Sequence, residues 1–498
     1  MPDTENEHQH NGSIVEGAES AEDTHFRNRI VPLVIAGTFF MQMMDTSILN
    51  TSLPQMARTF GVQPLDMSIG VTVYMLVFAA MLPLSGWLSE RFGARLVFQA
   101  SVVVFTCSSL ACGLSSSLAS FVAARAVQGM GASMMTPVGR VIILRTVSKS
   151  GFLQAMATVA VPALAAPLVG PLLGGMLTTW ASWRWNFFVN IPVGLLSSIL
   201  ISRFVPRFAP QPGRYFDLTG FVLSSTSLAA LLHGFETLAR AGSRGWTTWA
   251  ALAWGIVGGI SAVRHLLRAP QPLLDLEPLS FPTFRLATLA AGMWIRMAIS
   301  ATPFLLPLLF QVGLGLSPIA SGGYLAAYFA GNLAMKSGTT KALRRWGFRT
   351  VVIANGVLVG LSMLSMIMIG PNTPFAVVGA MLFLAGLVRS LQFTSLGSLV
   401  FAEIPHRLSS SAATISSMSQ QISMAMGVTL VAACLNASKS LAGHKGLELT
   451  DFRIALVCAA FFAFLASWLF RSLAPDAGSE LTALPQGNRS RDPESDLA

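Results

Sequence analysis

The one carboxylate lying well inside an apolar stretch of this chain is Asp45. Charge is expensive in hydrocarbon, so an ionisable group placed there normally serves a function. A lone carboxylate either carries a proton or balances a cation. Arg125, Arg296 and Arg389 also interrupt apolar stretches. Asp45 with Arg125 makes a proton-transfer site on one reading and a static packing pair on the other, because arginine also serves as a structural clamp. No acidic partner for Arg296 or Arg389 is evident in these stretches. They face a wet, anion-attracting cavity, or they bind carbonyls, clamp helices and snorkel near an end. His233 has two readings as well, proton relay or interfacial packing. No His/Glu metal cluster, nucleophile–base set or Walker-type phosphate loop is present, so nothing points to an enzyme, a metal, a cofactor or direct ATP drive.

The elements that must position these groups are membrane helices. The chain has 498 residues, 53% hydrophobic and only 11% charged, with a mean hydropathy of +0.62. Soluble domains carry about 25% charged residues. Fourteen apolar runs stand out, at 30–54, 67–88, 94–113, 118–145, 154–177, 185–205, 217–236, 246–267, 284–312, 318–336, 348–370, 374–400, 410–436 and 453–473. Each is long enough to cross a hydrocarbon core of about 30 Å, and a backbone inside lipid must be helical to satisfy its own hydrogen bonds. The net charge of +10 is scattered over the loops and forms no stripe, which argues against nucleic acid. Cys107, Cys112, Cys434 and Cys458 all lie in apolar runs and read as packing residues.

Loop charge sets an expected orientation. With the N-terminus inside, the inner loops hold Arg91, Arg95, Arg145, Lys149, Arg203, Arg207, Arg214, Arg264, Arg268, Lys341, Arg344, Arg345, Arg349 and Arg407. The outer loops hold fewer basic residues, so the positive-inside rule puts both termini in the cytoplasm. A weak repeat agrees with this. Arg91-Phe92-Gly93-Ala94-Arg95 matches Arg345-Trp346-Gly347-Phe348-Arg349 at an offset of 254, as do Pro64 with Pro318 and Tyr74 with Tyr328. Arg125-Ala-Val-Gln128 matches Arg389-Ser-Leu-Gln392 at an offset of 264. Two parallel six-helix halves with an inserted helix pair account for the pattern.

Depth brings the first two charges together. Asp45 is about 22 Å from the inner face at 1.5 Å per residue, and Arg125 about 10 Å below the outer face. Both therefore lie in the outer half of the core and pair if their helices are neighbours. Burial favours a neutral carboxylate and a nearby arginine favours a charged one, so a group held between the two changes protonation as a cavity opens.

Four motifs carry a resemblance. Asp45-Thr46-Ser47-Ile48-Leu49-Asn50-Thr51-Ser52-Leu53-Pro54 opens the series. Gly86-Trp87-Leu88-Ser89-Glu90-Arg91-Phe92-Gly93-Ala94-Arg95 follows the second span. Arg125-Ala126-Val127-Gln128-Gly129-Met130-Gly131 lies in the fourth, and Ala166-Pro167-Leu168-Val169-Gly170-Pro171-Leu172-Leu173-Gly174-Gly175 in the fifth. Trp183-Arg184-Trp185-Asn186-Phe187-Phe188-Val189-Asn190-Ile191-Pro192-Val193-Gly194 opens the sixth. In order and spacing these resemble the major facilitator superfamily, and more narrowly its fourteen-span drug:proton antiporter branch (EmrB/QacA type). Glu90 stands where that pattern has Asp, Arg95 is all that remains of a basic pair, and Ala166 replaces the first glycine of the fifth-span motif.

The resemblance implies proton coupling through Asp45 and Arg125. It implies a gating loop at Gly86, Glu90, Arg91, Gly93 and Arg95, and an antiporter motif at Gly170, Pro171, Gly174 and Gly175. Small residues and proline in the fifth span suit a rocking contact between halves. Met41, Met44, Gln128, Trp294, Arg296, Tyr328 and Arg389 are candidates for the substrate cavity, since methionine and aromatic surfaces accept varied apolar ligands.

The expected organisation is an all-α membrane fold. Residues 1–28 form a disordered acidic tail, 29–205 the first half, 206–283 the linker with two extra spans, 284–474 the second half and 475–498 a disordered tail. The expected function is proton-coupled export of amphipathic organic compounds across an inner membrane, with no cofactor and no nucleic-acid partner. Its partners are a small-molecule substrate, protons and the bilayer, with adaptor or outer-membrane partners left open. The alternatives are an exchanger of one metabolite, including an organic anion held by Arg296 and Arg389, and a receptor or scaffold that does not transport.

Overall fold

The computed structural model describes residues 21–49, 52–62, 67–147, 149–209, 215–239, 245–443 and 446–482. At 21–28, 54, 68, 149–150, 160–164, 167–168, 171–172 and 318–319 it describes the backbone alone. The acidic tail as far as residue 20 and the C-terminal tail from 483 lie outside the described residues.

The described chain is helical: α1 Ala21–Ile48, α2 Leu53–Phe60, α3 Ser68–Met81, α4 Leu84–Phe92, α5 Ala94–Leu114, α6 Leu118–Thr146, α7 Lys149–Trp180, α8 Trp185–Phe188 and α9 Asn190–Phe204. Then follow α10 Leu218–Ala239, α11 Trp246–Leu266, α12 Pro282–Thr288, α13 Ala291–Leu308, α14 Pro318–Ala334, α15 Lys336–Ser365, α16 Phe375–Leu399, α17 Ser409–Ala442, α18 Leu449–Leu469 and α19 Ser479–Thr482. Among the described residues, ten helical segments are long and apolar enough to cross a membrane, or eleven with the bent pair α3–α4. That pair turns by 57° at Pro83, which has no N–H to continue the helical ladder. Helices α6, α7 and α14 are not among the eleven; α14 has only 17 residues, and α6 carries three arginines.

Helices α1, α3, α5, α6, α7 and α9 pack among themselves, and so do α13 to α18. The two groups meet where α4 and α6 touch α17 and where α7 touches α14 and α16. The inserted helices α10 and α11 pack on each other, and α10 lies against both α3 and α17.

The repeat is visible in backbone geometry. Gly93 separates α4 from α5 at φ 86°, and Gly347 breaks α15 at φ 72°. This left-handed region favours glycine. Each break is followed two residues later by an arginine that reaches the last helix of its own half. Arg95 donates to the Ser202 carbonyl, and Arg349 Nη2 to the Arg471 carbonyl at 3.0 Å.

The second match does not survive as a structural equivalence. A Cβ on Gly129 of α6 would lie 2.6 Å from the Tyr74 carbonyl oxygen, and one on Gly386 of α16 would lie 2.0 Å from the Tyr328 carbonyl oxygen. Since Tyr74 and Tyr328 correspond at 254, these glycines correspond at 257, not 264. Arg125 therefore precedes its glycine by one helical turn and Arg389 follows its glycine by one turn. The two arginines flank equivalent tyrosines from opposite sides, about 10 Å apart along the helix axis.

Two tail boundaries move. Helix α1 begins at Ala21, inside the stretch read as tail. Disorder from residue 475 is also too early, because Ala477 and Leu481 are buried and Gly478 packs against Phe348. Two apolar side chains in a polar stretch are enough to dock one short helix.

Candidate functional site

Arg125 and Gln128 lie one turn apart on α6, so they share a face. That face meets Asp45 of α1. Arg125 Nη1 donates to Asp45 Oδ2 at 2.7 Å, and Gln128 Nε2 donates to Asp45 Oδ1 at 2.9 Å. Asn190, at the start of α9, donates from Nδ2 to the same Oδ1 at 3.0 Å. Ser109 of α5 accepts from Gln128 at 2.7 Å and from Asn190 at 3.2 Å. Arg125 also donates to Gln128 Oε1 at 2.5 Å and to the Gly70 carbonyl at 3.4 Å, and its guanidinium lies 4.2 Å from the centre of the Tyr74 ring. Asp45 and Arg125 are each 1% exposed.

Five helices thus converge on one carboxylate. It accepts three hydrogen bonds, one of them from a guanidinium, which is the arrangement a buried charge needs. These donors come from α6 and α9, so the carboxylate ties α1 to both helices. Two neighbours of the network, Thr46 and Tyr74, also line a cavity of about 130 Å³ between the halves, with Gln42, Phe78, Ser417 and Gln420. The depth estimate had placed Asp45 and Arg125 together. Ser109 and Asn190 escaped it, although an Asn in an apolar span is the same kind of signal.

At the Gly93 end the halves are joined by hydroxyls. Ser85 of α4 meets Thr414 of α17 at 3.0 Å, and Ser89 donates to Ser410 at 3.2 Å. Arg145 of α6 donates to the same Ser410 at 3.3 Å. A Cβ on Gly86 would lie 3.1 Å from Thr414 Oγ1, so this glycine sits at the seam. Glu90 is buried and Arg91 half-buried, while Arg95 is used inside its own half. The run of serines at the start of α17 was the overlooked signal. Beyond the seam, Phe152 of α7 packs edge-on against Phe401 at 6.3 Å. These rings border a cavity of about 550 Å³, remote from Asp45, with Glu403, His406 and Asp476.

Gly170 faces α1 of its own half, where an added Cβ would lie 2.0 Å from Ser47 Oγ. This glycine thus packs inside its own half, while the helix that carries it also touches α14 and α16 of the other. Gly175 has open space, and Gly174 is buried. The Pro171 side chain lies outside the described residues.

The cavity candidates divide. Met41 and Met44 are buried in packing, while Gln42, Met43 and Thr46 face the cavity. Trp294 stacks on Phe462 of α18 at 5.4 Å, within the second half. Arg296 lines a space of about 40 Å³ between the halves with Arg140, Thr394 and Gln420. Tyr328 is buried with Arg389 5.8 Å from its ring centre. Among the described residues no His, Cys, Asp and Glu group has the makings of a metal site.

Residues 35–428 match the sequence profile of the Major Facilitator Superfamily. The chain is 36% identical over 453 residues to MdtD of Escherichia coli O45:K1, a protein named for multidrug resistance; the match covers 89% of this chain and 94% of that one. The like-named protein of Citrobacter koseri is also 36% identical, over 456 residues, with the same coverage. Among solved structures, the human organic anion transporter MFSD10 superposes with a TM-score of 0.65 at 15% identity, covering 89% of this chain and 99% of that one. The proton:xylose symporter XylE does so with a TM-score of 0.62 at 13% identity, covering 92% and 99%. At these identities the two structures speak to the fold alone.

Proposed function

The chain belongs to the Major Facilitator Superfamily, and from that premise we propose that it is a proton-coupled secondary active transporter exporting amphipathic organic compounds. The carrying observation is the buried Asp45–Arg125 pair, held by Gln128 and Asn190 beside the cavity between the halves. The multidrug names of its relatives support the substrate class.

In this reading the fold has fourteen spans, α6, α7 and α14 joining the eleven segments that qualify by length and hydropathy. Both termini are cytoplasmic and the membrane is the inner one, as the loop charges favour. The Gly93 end is then the cytoplasmic gate. It is closed by Ser85, Ser89, Ser410 and Thr414, with Arg145 reaching across. Hydroxyl contacts break at little cost, since water replaces each one as the seam opens. While the gate is closed, Asp45 is ionised and locked. Opening shifts α1 against α6 and α9, loosens the three donors and lets Asp45 take up a proton. Alternating access follows if substrate and proton favour opposite states.

Purified protein in vesicles with an imposed pH gradient tests this. Wild type should drive an amphipathic dye uphill, and Asp45→Asn should abolish uphill transport while still inserting and exchanging dye downhill. Substrate-induced proton release that is unchanged in Asp45→Asn would remove the carboxylate from the mechanism.

A further inference from the structure

Arg140 and Arg296 line a space between the halves, Lys336 bonds to Thr394 of its wall, and Arg389 lies on the same helix as Thr394; none of these four cations meets a carboxylate among the described residues. Arg140 of α6 donates to Ser417 at 3.4 Å and to Gln420 Oε1 at 3.0 Å. Arg296 of α13 donates to the Thr288 carbonyl at 3.3 Å. Lys336 donates to Thr394 of α16, and Arg389 lies beside Tyr328 with its Nε unpartnered. Arg140, Arg296 and Thr394 line one small cavity, so the Lys336 bond joins the start of α15 to the same space.

A second observation comes from Asn332. It lies one helical turn before Lys336, is fully buried, and has both amide atoms without a partner. Ser390, next to Arg389, has an unpartnered buried hydroxyl as well. Buried polar atoms are normally satisfied, so each unsatisfied one calls for an explanation, a bound group being one. A structural clamp needs acceptors, and here donors outnumber them.

The internal repeat shows that the fold does not require these groups. At the offset of 254, Asn332 corresponds to Phe78 and Lys336 to Leu82. Phe78 and Leu82 face the cavity between the halves. One half therefore carries two apolar side chains at the positions where the other carries an amide and an ammonium. The register shift of Arg389 relative to Arg125 brings a guanidinium to the same level as Lys336.

We infer that Lys336, Arg389 and Asn332, joined across the seam by Arg296 and Arg140, form a binding site for the anionic group of an amphipathic molecule, such as a carboxylate, sulfonate or phosphate. Arginine presents paired donors to such groups, lysine adds a point charge, and the Asn332 amide completes the set. In the closed arrangement the space measured at Arg140 and Arg296 is about 40 Å³, too small for an amphipathic ligand. Loading therefore follows opening of the Ser85–Thr414 seam. The inference rests on the transport reading and narrows its substrate class.

The test uses the full chain in lipid nanodiscs and three dansyl probes that share one alkyl chain. One ends in a carboxylate, one in its methyl ester and one in a trimethylammonium group. Binding is read by energy transfer from tryptophan. The carboxylate probe should bind tightest. Lys336→Gln should weaken it by about tenfold, or about 1.4 kcal/mol, and leave the ester unchanged, while Lys336→Arg should restore it. Arg389→Gln is the second variant, and the ester reports whether either protein is folded. Equal binding of the three probes, or a carboxylate affinity indifferent to both variants, overturns the inference. Nanodiscs with and without phosphatidylglycerol separate a soluble anion from a lipid headgroup, because a headgroup occupant would displace the probe. Transport of the same probes under a pH gradient keeps the two proposals apart. If none of them moves, the transport reading fails; if they move without charge preference, only this inference fails.

Discussion

Two clusters, one in each half of the molecule, bury charge in opposite ways. In the first, Arg125 faces Asp45, and Gln128, Asn190 and Ser109 satisfy what remains. In the second, Arg296, Lys336 and Arg389 have only neutral partners among the described residues. The scaffold is shared, down to the glycine breaks at Gly93 and Gly347. The difference therefore comes from a few side chains placed on equivalent helices. A compensated carboxylate suits a proton that comes and goes, and an uncompensated cation suits a ligand that supplies the missing charge.

The largest expected effect comes from breaking the compensation. Arg125→Ala strands a buried carboxylate and should destabilise the protein by about 3–5 kcal/mol. The double variant Asp45→Asn/Arg125→Gln should recover most of that loss, because no charge is left unpaired. Thermal unfolding in nanodiscs measures both. A double variant as unstable as Arg125→Ala would mean that packing and not charge sets the cost.

Lys336→Met tests the other half, and the expected sign reverses. Removing a buried cation that no carboxylate balances should stabilise the empty protein by about 1–3 kcal/mol. A clear loss of stability would reveal compensation in the second half and erase the contrast between the halves.

Pairing of Asp45 with Arg125 was legible because helical rise converts sequence position into depth, and depth survives errors of a few residues. Gly93 and Gly347 were legible because the motifs around them repeat. The register of Arg389 was not. Similar Arg-x-x-Gln strings lie seven residues apart in their packing frames, and only the close approach of Gly129 and Gly386 to tyrosine carbonyls reveals it. Helix faces were also hidden. The moments of membrane helices are weak because lipid and core are both apolar, so Met41 and Met44 looked no different from Met43. The serine gate escaped because serine is as much a packing residue as a polar one in membrane helices.

Helix packing offers a smaller contrast. An added Cβ at Gly170 meets the Ser47 hydroxyl, whereas one at Gly386 meets the Tyr328 backbone. Overpacking costs about 1–3 kcal/mol, and a side chain yields more readily than a helix backbone. Gly170→Ala should therefore be rescued by Ser47→Ala, while Gly386→Ala should sit at the upper end of that range with no side-chain rescue. Thermal midpoints of the single and double variants decide this, and a Gly386→Ala protein as stable as wild type would show that α14 and α16 can separate freely.

The smallest effect concerns a third way of holding charge, in the inserted pair that belongs to neither half. Asp217 precedes α10. It accepts from the Gly220 N–H at 2.8 Å and the Leu273 N–H at 3.1 Å, and it meets His265 Nε2 of α11 at 2.8 Å. Burial alone would push its carboxyl up, but the Gly220, His265 and Leu273 contacts together outweigh that and hold it below the usual carboxylate value. A depressed folded-state value means that the ionised form stabilises the fold above the ordinary carboxylate range. That contribution is lost as pH falls through the lowered value. Asp217→Asn keeps the cap but removes the charge facing His265, so it should cost about 0.2–1 kcal/mol near neutral pH, as an exposed ion pair does. It should cost nothing once the wild-type carboxyl is protonated. Thermal midpoints of both proteins across pH should converge in acid. Parallel curves would mean that Asp217 acts through its shape alone.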